Sequence, residues 1–190
     1  IRAAYIGGCC GTTPAFIEAL RRKLAGKKAV WTGKAVHGIC SASEVCAFGQ
    51  GVRVIGERIN PTGKRRFQQA LREKDMNYIV AQAVEQADAG AQILDINVGL
   101  PGIDEVDLMR RVVTAIGGAV GLPLQIDSSN PAAIEAGLRA APGKCLINSV
   151  NASESSLQTV LPLAKKYGAA IVGLALGESG LPSSSDERMA

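Results

Sequence analysis

The chain has 190 residues, with 21 Lys and Arg against 17 Asp and Glu, a formal net charge of +4. Such a length supports one domain or slightly more, and 47% apolar residues exclude an intrinsically disordered chain. Aromatics at 4% argue against a base-stacking platform for single-stranded nucleic acid, and the mild, scattered charge gives no reason to expect a nucleic-acid partner. The longest weakly polar run, residues 168–177, is far shorter than the roughly 18 residues a membrane helix requires, so no membrane partner is expected.

Residues 3–6 (Ala-Ala-Tyr-Ile) read as a short buried strand running into Gly7-Gly8-Cys9-Cys10-Gly11. Thr12 or Thr13 then caps a helix with Pro14 in its first turn; Phe16, Ile17, Leu20 and Leu24 recur at helical spacing, and Gly26 ends it. Between residues 27 and 51 the periodicity fades, with Trp31-Thr32-Gly33, His37-Gly38 and Phe48-Gly49-Gln50-Gly51 breaking any regular element. This stretch reads as an inter-domain linker. The five cysteines, at positions 9, 10, 40, 46 and 145, are odd in number and fit thiols or metal ligands better than a disulfide framework. They point to a reducing cytoplasm.

After Gly51 strands and helices alternate. Strands are expected at 52–55, 93–98, 122–126, 145–148 and 169–176. Helices are expected at 65–89 with a break near Asp75, then at 104–116, 131–140 and 155–167, Gly117-Gly118 weakening the second of these. Strict alternation with right-handed crossovers implies a parallel sheet, open or closed. Four strands run into polar residues: Glu57-Arg58-Ile59-Asn60, Asp95-Ile96-Asn97, Asp127-Ser128-Ser129 and Asn148-Ser149-Val150-Asn151. In a (β/α)8 barrel these ends converge on one face, whereas in an open sheet they meet only near a switch point. Neither a G-x-G-x-x-G after the first strand nor a P-loop is present. Carboxylates that accept and carboxamides that donate and accept suit a flat heterocycle with an amino group and ring N–H donors. A phosphate would call for Gly-rich amides and more Arg or Lys.

The runs Val54-Ile55-Gly56-Glu57-Arg58-Ile59-Asn60-Pro61-Thr62-Gly63, Leu94-Asp95-Ile96-Asn97-Val98-Gly99, Gln125-Ile126-Asp127-Ser128-Ser129 and Leu146-Ile147-Asn148-Ser149 closely resemble the pterin-binding barrel of folate-dependent, corrinoid-linked methyltransferases. Gly7-Gly8-Cys9-Cys10-Gly11-Thr12-Thr13-Pro14 resembles the last strand of zinc-dependent homocysteine methyltransferase barrels. In this order the two resemble the cobalamin-dependent methionine synthases. The resemblance implies three parts: residues 1–26 as the C-terminal βα unit of a homocysteine and zinc barrel, 27–51 as a linker, and 52–190 as the first part of a pterin-binding (β/α)8 TIM barrel, with five of its eight strands.

By the same resemblance, Asp127 accepts hydrogen bonds from the donor edge of the pterin ring and Asn148 contacts the ring near N5, which carries the methyl group. Glu57, Asn60 and the Gly63–Lys64 turn close over the folate, and Asp95 and Asn97 line the pocket floor. Cys9 and Cys10 are two of three zinc ligands, the third preceding them in the family. The implied reaction passes the methyl of 5-methyltetrahydrofolate to cob(I)alamin, held by a separate domain or subunit, and then to homocysteine to give methionine. The isolated chain is expected to be inactive. Two alternatives stay open: a methyltransferase that feeds a corrinoid iron–sulfur protein, and a non-catalytic folate-binding remnant. Dihydropteroate synthases share the barrel and an Asp like Asp127, but would want more basic residues at late strands. Lys64-Arg65-Arg66 is a candidate to face a polyglutamate tail.

Overall fold

The computed structural model describes residues 5–28, 37–49, 51–177, 180 and 184–189. It separates into two units, residues 1–36 and 37–190. In the first, helix α1 (Pro14–Leu24) follows Thr13, whose extended backbone serves as N-cap, with Pro14 at the position where a missing N–H costs nothing. Arg21, Arg22 and Lys23 crowd its last turn, where they complement the helix dipole. None of its side chains is buried, and Phe16 is 64% exposed. Of the strand expected at 3–6, residues 3 and 4 lie outside the described residues, and Tyr5 and Ile6 carry no strand.

The second unit opens with a correction. Within the expected linker, residues 38–47 form an antiparallel hairpin, β1 (Gly38–Cys40) paired with β2 (Val45–Ala47), which belongs to the larger unit, while Lys27 and Lys28 belong to the first. Residues 29–36 and Gln50 of that linker lie outside the described residues. Strands of three residues are too short to show a period in the sequence. The hairpin is held from outside: Cys40 N–H donates to the Lys144 carbonyl at 3.0 Å, and Ser41 Oγ donates to the Gly121 carbonyl at 2.6 Å.

Five parallel strands follow in the order of the chain: β3 (Ile55–Ile59), β4 (Ile93–Asn97), β5 (Leu124–Asp127), β6 (Leu146–Val150) and β7 (Ala170–Gly173). Helices α2 (Arg65–Glu73) and α3 (Met76–Asp88) connect the first two, and α4 (Glu105–Ala119), α5 (Pro131–Ala140) and α6 (Glu154–Tyr167) connect the rest. Neighbours in sequence being neighbours in the sheet is the winding of a barrel rather than of a doubly wound sheet, whose order reverses at a switch point. The expected break near Asp75 is real: Lys74 sits in the left-handed region at φ 55° and the Asp75 carboxylate caps α3 by accepting from Tyr78 N–H. Gly117-Gly118 does not end α4, which continues to Ala119. A short helix, α7 (Ser185–Met189), is the last described element.

Side chains alternate across the sheet, as a strand's two-residue repeat dictates. Leu94, Ile96, Leu124, Ile126 and Ile147 pack outward with Phe67, Ile79, Met109, Val112, Ile116 and Ile134 from the helices, forming the main core. Gly137 lets α5 approach closely, since a Cβ there would lie 3.0 Å from Ile126. On the opposite face, Ile93 and Leu146 join Ile39 and Cys46 of the hairpin in a small second core. The hairpin therefore seals the end where the strands begin. Polar interior residues are left to the end where they finish.

Candidate functional site: a polar layer at the strand ends

Register brings the interior residues into two layers. Asp95 pairs in register with Gln125 one layer down, and Asn97, Asp127 and Asn148 align across three strands in the layer above. Asn97 Nδ2 donates to Asp127 Oδ2 at 2.9 Å, and its Oδ1 accepts from Gly99 N–H at 2.9 Å. Asn97 thus has both ends of its carboxamide occupied and holds Asp127 by one oxygen. Asn148 Nδ2 donates to Asp95 Oδ1 at 3.5 Å. Asp95, Asn97, Asp127 and Asn148, singled out from sequence, meet in one cluster.

Asp95 is 2% exposed. Burial, which penalises its charge, pushes the carboxyl up from its ordinary value of 3.8 to about 6; the Gln125 hydrogen bond opposes this, Asp127 adds to it, Asn148 opposes it and Glu57 adds to it. An ionised carboxylate only accepts, so both neighbouring carboxamides must turn their NH2 groups toward it. Gln125 Nε2 donates to Asp95 Oδ1, which leaves Gln125 Oε1 buried without a partner. An orphaned buried acceptor costs about 1–3 kcal/mol. Gln125 was missed from sequence as a site residue, although its place two positions before Asp127 puts it on the same face of the strand.

Glu57, which falls within β3 rather than in the loop expected from sequence, forms a second cluster with that loop. Asn60 Nδ2 donates to Glu57 Oε1 at 2.7 Å and its Oδ1 accepts from Thr62 N–H at 2.9 Å. Lys64 Nζ donates to the Glu57 carbonyl at 3.1 Å and lies 4.0 Å from its carboxylate. Gly63, at φ 70°, makes the turn that brings Lys64 back. Arg66 turns elsewhere: it pairs with Asp75 at 2.9 Å and stacks over Tyr78. Behind the loop, Gln86 Oε1 accepts from Arg58 N–H at 2.7 Å, through a gap that a Cβ at Gly56 would fill.

Two cavities open over the strand ends. One, of about 470 Å³, is lined by Asp127, Asn148, Ser149, Asn151 and serines of the following helix start; the other, of about 430 Å³, by Thr62, Asn97, Gly99 and Glu105. Ser128 and Ser129 line both. Ser128, also missed from sequence, donates to Glu105 and accepts from Asn130 N–H, which fixes the wall between them. Each volume lies within the range of small-molecule sites.

In the first unit Cys9 and Cys10 are exposed, with their sulfurs 3.9 Å apart. Two thiolates on one tetrahedral zinc, each about 2.3 Å from the metal, stand about 3.8 Å apart, so the pair has suitable spacing. Among the described residues no group of three Cys, His, Asp or Glu assembles to hold a metal. Cys40 is half-buried, while Cys46 and Cys145 are buried, and burial pushes the Cys145 thiol up to about 12. Among the described residues no helix is long and apolar enough to cross a membrane.

Comparison with known proteins places this arrangement in context. Residues 56–187 match the model of the family described as pterin binding enzyme. Methionine synthase from Mycobacterium tuberculosis is 32% identical over 194 residues, covering 98% of this chain and 16% of the relative. Methionine synthase from Mycobacterium leprae is 31% identical over 193 residues, covering 93% of this chain and 16% of the relative. The chain therefore spans about one sixth of the length of these curated relatives. A solved Xanthomonas albilineans dihydropteroate synthase, in complex with indole-2-carboxylic acid and 6-chloroguanine, aligns at a TM-score of 0.49 and 21% identity, over 72% of this chain and 49% of that one.

Proposed function

The chain belongs to the pterin-binding enzyme family, and on that premise we propose that it is the folate-binding part of a methyltransferase of the methionine synthase type. The substrate is 5-methyltetrahydrofolate. The methyl group passes to cob(I)alamin held outside this chain, and then to homocysteine. The observation that carries the reading is the layer of Asn97, Asp127 and Asn148 at the mouth of three adjacent parallel strands, with Asp95 hydrogen-bonded to Asn148 from the layer beneath. With Asn97 on one oxygen of Asp127 and Asp95 on the NH2 of Asn148, the groups left for a ligand are acceptors: Asp127 Oδ1 and Asn148 Oδ1. Such a surface suits the amino and ring N–H edge of a pterin.

The chemical difficulty is the leaving group. The C–N5 bond of a tertiary amine breaks only if N5 carries positive charge. Protonated N5 is an N–H donor, and in this reading the Asn148 carbonyl oxygen accepts from it, holding that proton at N5. The methyl then leaves as the equivalent of a cation, while N5 keeps the bonding pair and its proton as tetrahydrofolate. One hydrogen bond to a charged group contributes about 1.5–3 kcal/mol, or about 10- to 100-fold in favour of the protonated form. Glu57, Asn60 and the Gly63–Lys64 turn cover the ring and exclude water. Cobalamin supplies, when bound, a nucleophile strong enough to take the methyl group.

Cys9 and Cys10 are proposed as two ligands of a zinc ion, completed by a third cysteine that is not in this chain. Zinc there would lower the pKa of the homocysteine thiol and make it a nucleophile near neutral pH. The test is titration of the complete polypeptide that carries this chain with 5-methyltetrahydrofolate, followed by single-turnover methyl transfer to supplied cob(I)alamin. Saturable binding with transfer supports the reading, binding without transfer reduces it to a folate-binding module, and no binding overturns it.

A further inference from the structure

Gln125 stands outside the ligand-facing layer and is not needed for the pocket's outline, yet it is 5% exposed and has a carboxamide oxygen with no partner. Apolar residues occupy most of the remaining interior toward the sealed end, namely Ile93, Leu146 and Ala170. A polar side chain at this depth needs a physical reason. It faces Asp95 directly across the β4–β5 register. Asp95 Oδ1 receives two donors, Gln125 Nε2 from below and Asn148 Nδ2 from the layer above.

We propose that Gln125 is a positioning residue for the pocket: by holding the Asp95 carboxylate from across the strand pair, it makes Asp95 take the Asn148 NH2 group, which turns the Asn148 carbonyl oxygen toward the ligand. The chain of contacts is Gln125 to Asp95 to Asn148 to ligand. Gln125 acts through two intermediaries and touches no substrate.

The unpartnered Gln125 Oε1 has a place in this arrangement. When Asp95 is ionised, it accepts from both carboxamides. When Asp95 takes up a proton it becomes a donor, and a half-turn of the Gln125 carboxamide offers Oε1 as the acceptor beside it. Asn148 then no longer faces an obligatory acceptor, and its amide is free to present either end to the pocket. The charged groups facing Asp95 are Asp127 on β5 and Glu57 on β3, both of which favour the protonated form, while β6 contributes the neutral Asn148. Gln125 and Asn148 oppose them as donors. Gln125 thus sets how far the pH can fall before the acceptor surface is lost.

The claim that a ligand reads Asn148 rests on the folate assignment; the claim that Gln125 governs Asp95 and Asn148 does not. Two arms separate them. In the ligand-free arm, the 190-residue chain carrying ¹³C-carboxyl aspartate and ¹⁵N carboxamides is titrated by NMR, with Asp95→Asn identifying the Asp95 signal. The expected result is an Asp95 midpoint near 6, with the Asn148 and Gln125 side-chain amides shifting at the same midpoint. Gln125→Leu, which keeps the volume and removes the donor, raises the midpoint by about one pH unit, the worth of one hydrogen bond to a charged group. A midpoint unmoved in Gln125→Leu, or an Asn148 amide that ignores Asp95, overturns the inference. If Gln125→Leu does not fold, the wild-type titration decides: a Gln125 amide that fails to track Asp95 is sufficient to reject it.

In the ligand arm, tetrahydrofolate affinity of the complete polypeptide is measured from about pH 5 to about pH 8. Affinity falls below the Asp95 midpoint toward that of the protonated form, with a slope of at most about tenfold per pH unit, and the midpoint rises with Gln125→Leu. Affinity flat across the midpoint removes Asn148 from recognition. Absence of binding at every pH rejects the folate assignment, and the ligand-free arm still decides the role of Gln125.

Discussion

Asp95→Asn separates what Asp95 contributes to the pocket from what it costs the fold. The carboxyl is 2% exposed and titrates near 6, against an ordinary value of 3.8. A folded-state pKa above the unfolded one means that the native state holds the proton more tightly, so stability is greatest below the unfolded value and falls as pH climbs from 3.8 to about 6. The displacement of about two pH units corresponds to about 3 kcal/mol, lost in full above the folded pKa. Asparagine keeps the oxygen that Gln125 and Asn148 donate to, carries no charge to bury, and brings an NH2 group that Gln125 Oε1 can accept from. The variant is therefore expected to be more stable than wild type by about 2–3 kcal/mol above pH 7 and no more stable near pH 4. At about 2–4 °C per kcal/mol for a domain of this size, its melting temperature rises by about 5–10 °C. Urea denaturation followed by circular dichroism at both pH values measures this. A variant less stable than wild type at neutral pH, or a difference equal at the two pH values, would refute the burial argument.

Asp127→Ala removes the acceptor whose other oxygen Asn97 holds, and is expected to weaken 5-methyltetrahydrofolate binding at least 100-fold, about 3 kcal/mol, by calorimetry, with little change in melting temperature. Gln86→Leu leaves the Arg58 amide without its acceptor and is expected to destabilise the chain by about 1–3 kcal/mol in denaturant titration. Ile39→Ala opens the sealed end, where Ile39 is 1% exposed against Ile93 and Leu146, and is expected to cost about 2–4 kcal/mol; a change under about 0.5 kcal/mol would mean that the hairpin does not pack as described.

Much of this architecture is legible in the sequence because its two faces obey one rule. In Ile93-Leu94-Asp95-Ile96-Asn97 the leucine and second isoleucine face the helices while the aspartate and asparagine face inward, and the same alternation in Leu124-Gln125-Ile126-Asp127 fixes which polar residues meet. Helix starts were readable for a local reason: Asp75, Asp104, Asn130 and Ser153 each accept from a backbone N–H in the first turn that follows. The hairpin was not readable, since its burial comes from Ile93 and Leu146, far away along the chain. Gly117-Gly118 misled because local propensity was outweighed by packing, with Val112, Val113 and Ile116 all buried on the same helix. Gln125 is not legible in the sequence, because a lone polar residue in an apolar strand looks like a solvated position until the register sets it opposite Asp95.

In the proposed folate site, recognition rests most on the pairing of Asp127 and Asn148 as acceptors for one flat ring. The direct measurement is a calorimetric titration of the complete polypeptide with 5-methyltetrahydrofolate, beside the same titration of Asp127→Asn, which presents an NH2 group in place of a carboxylate oxygen. Saturable one-to-one binding that falls by about 100-fold or more in the variant is the predicted result. Equal affinity in the two proteins, or no heat of binding to the unaltered one, would contradict it.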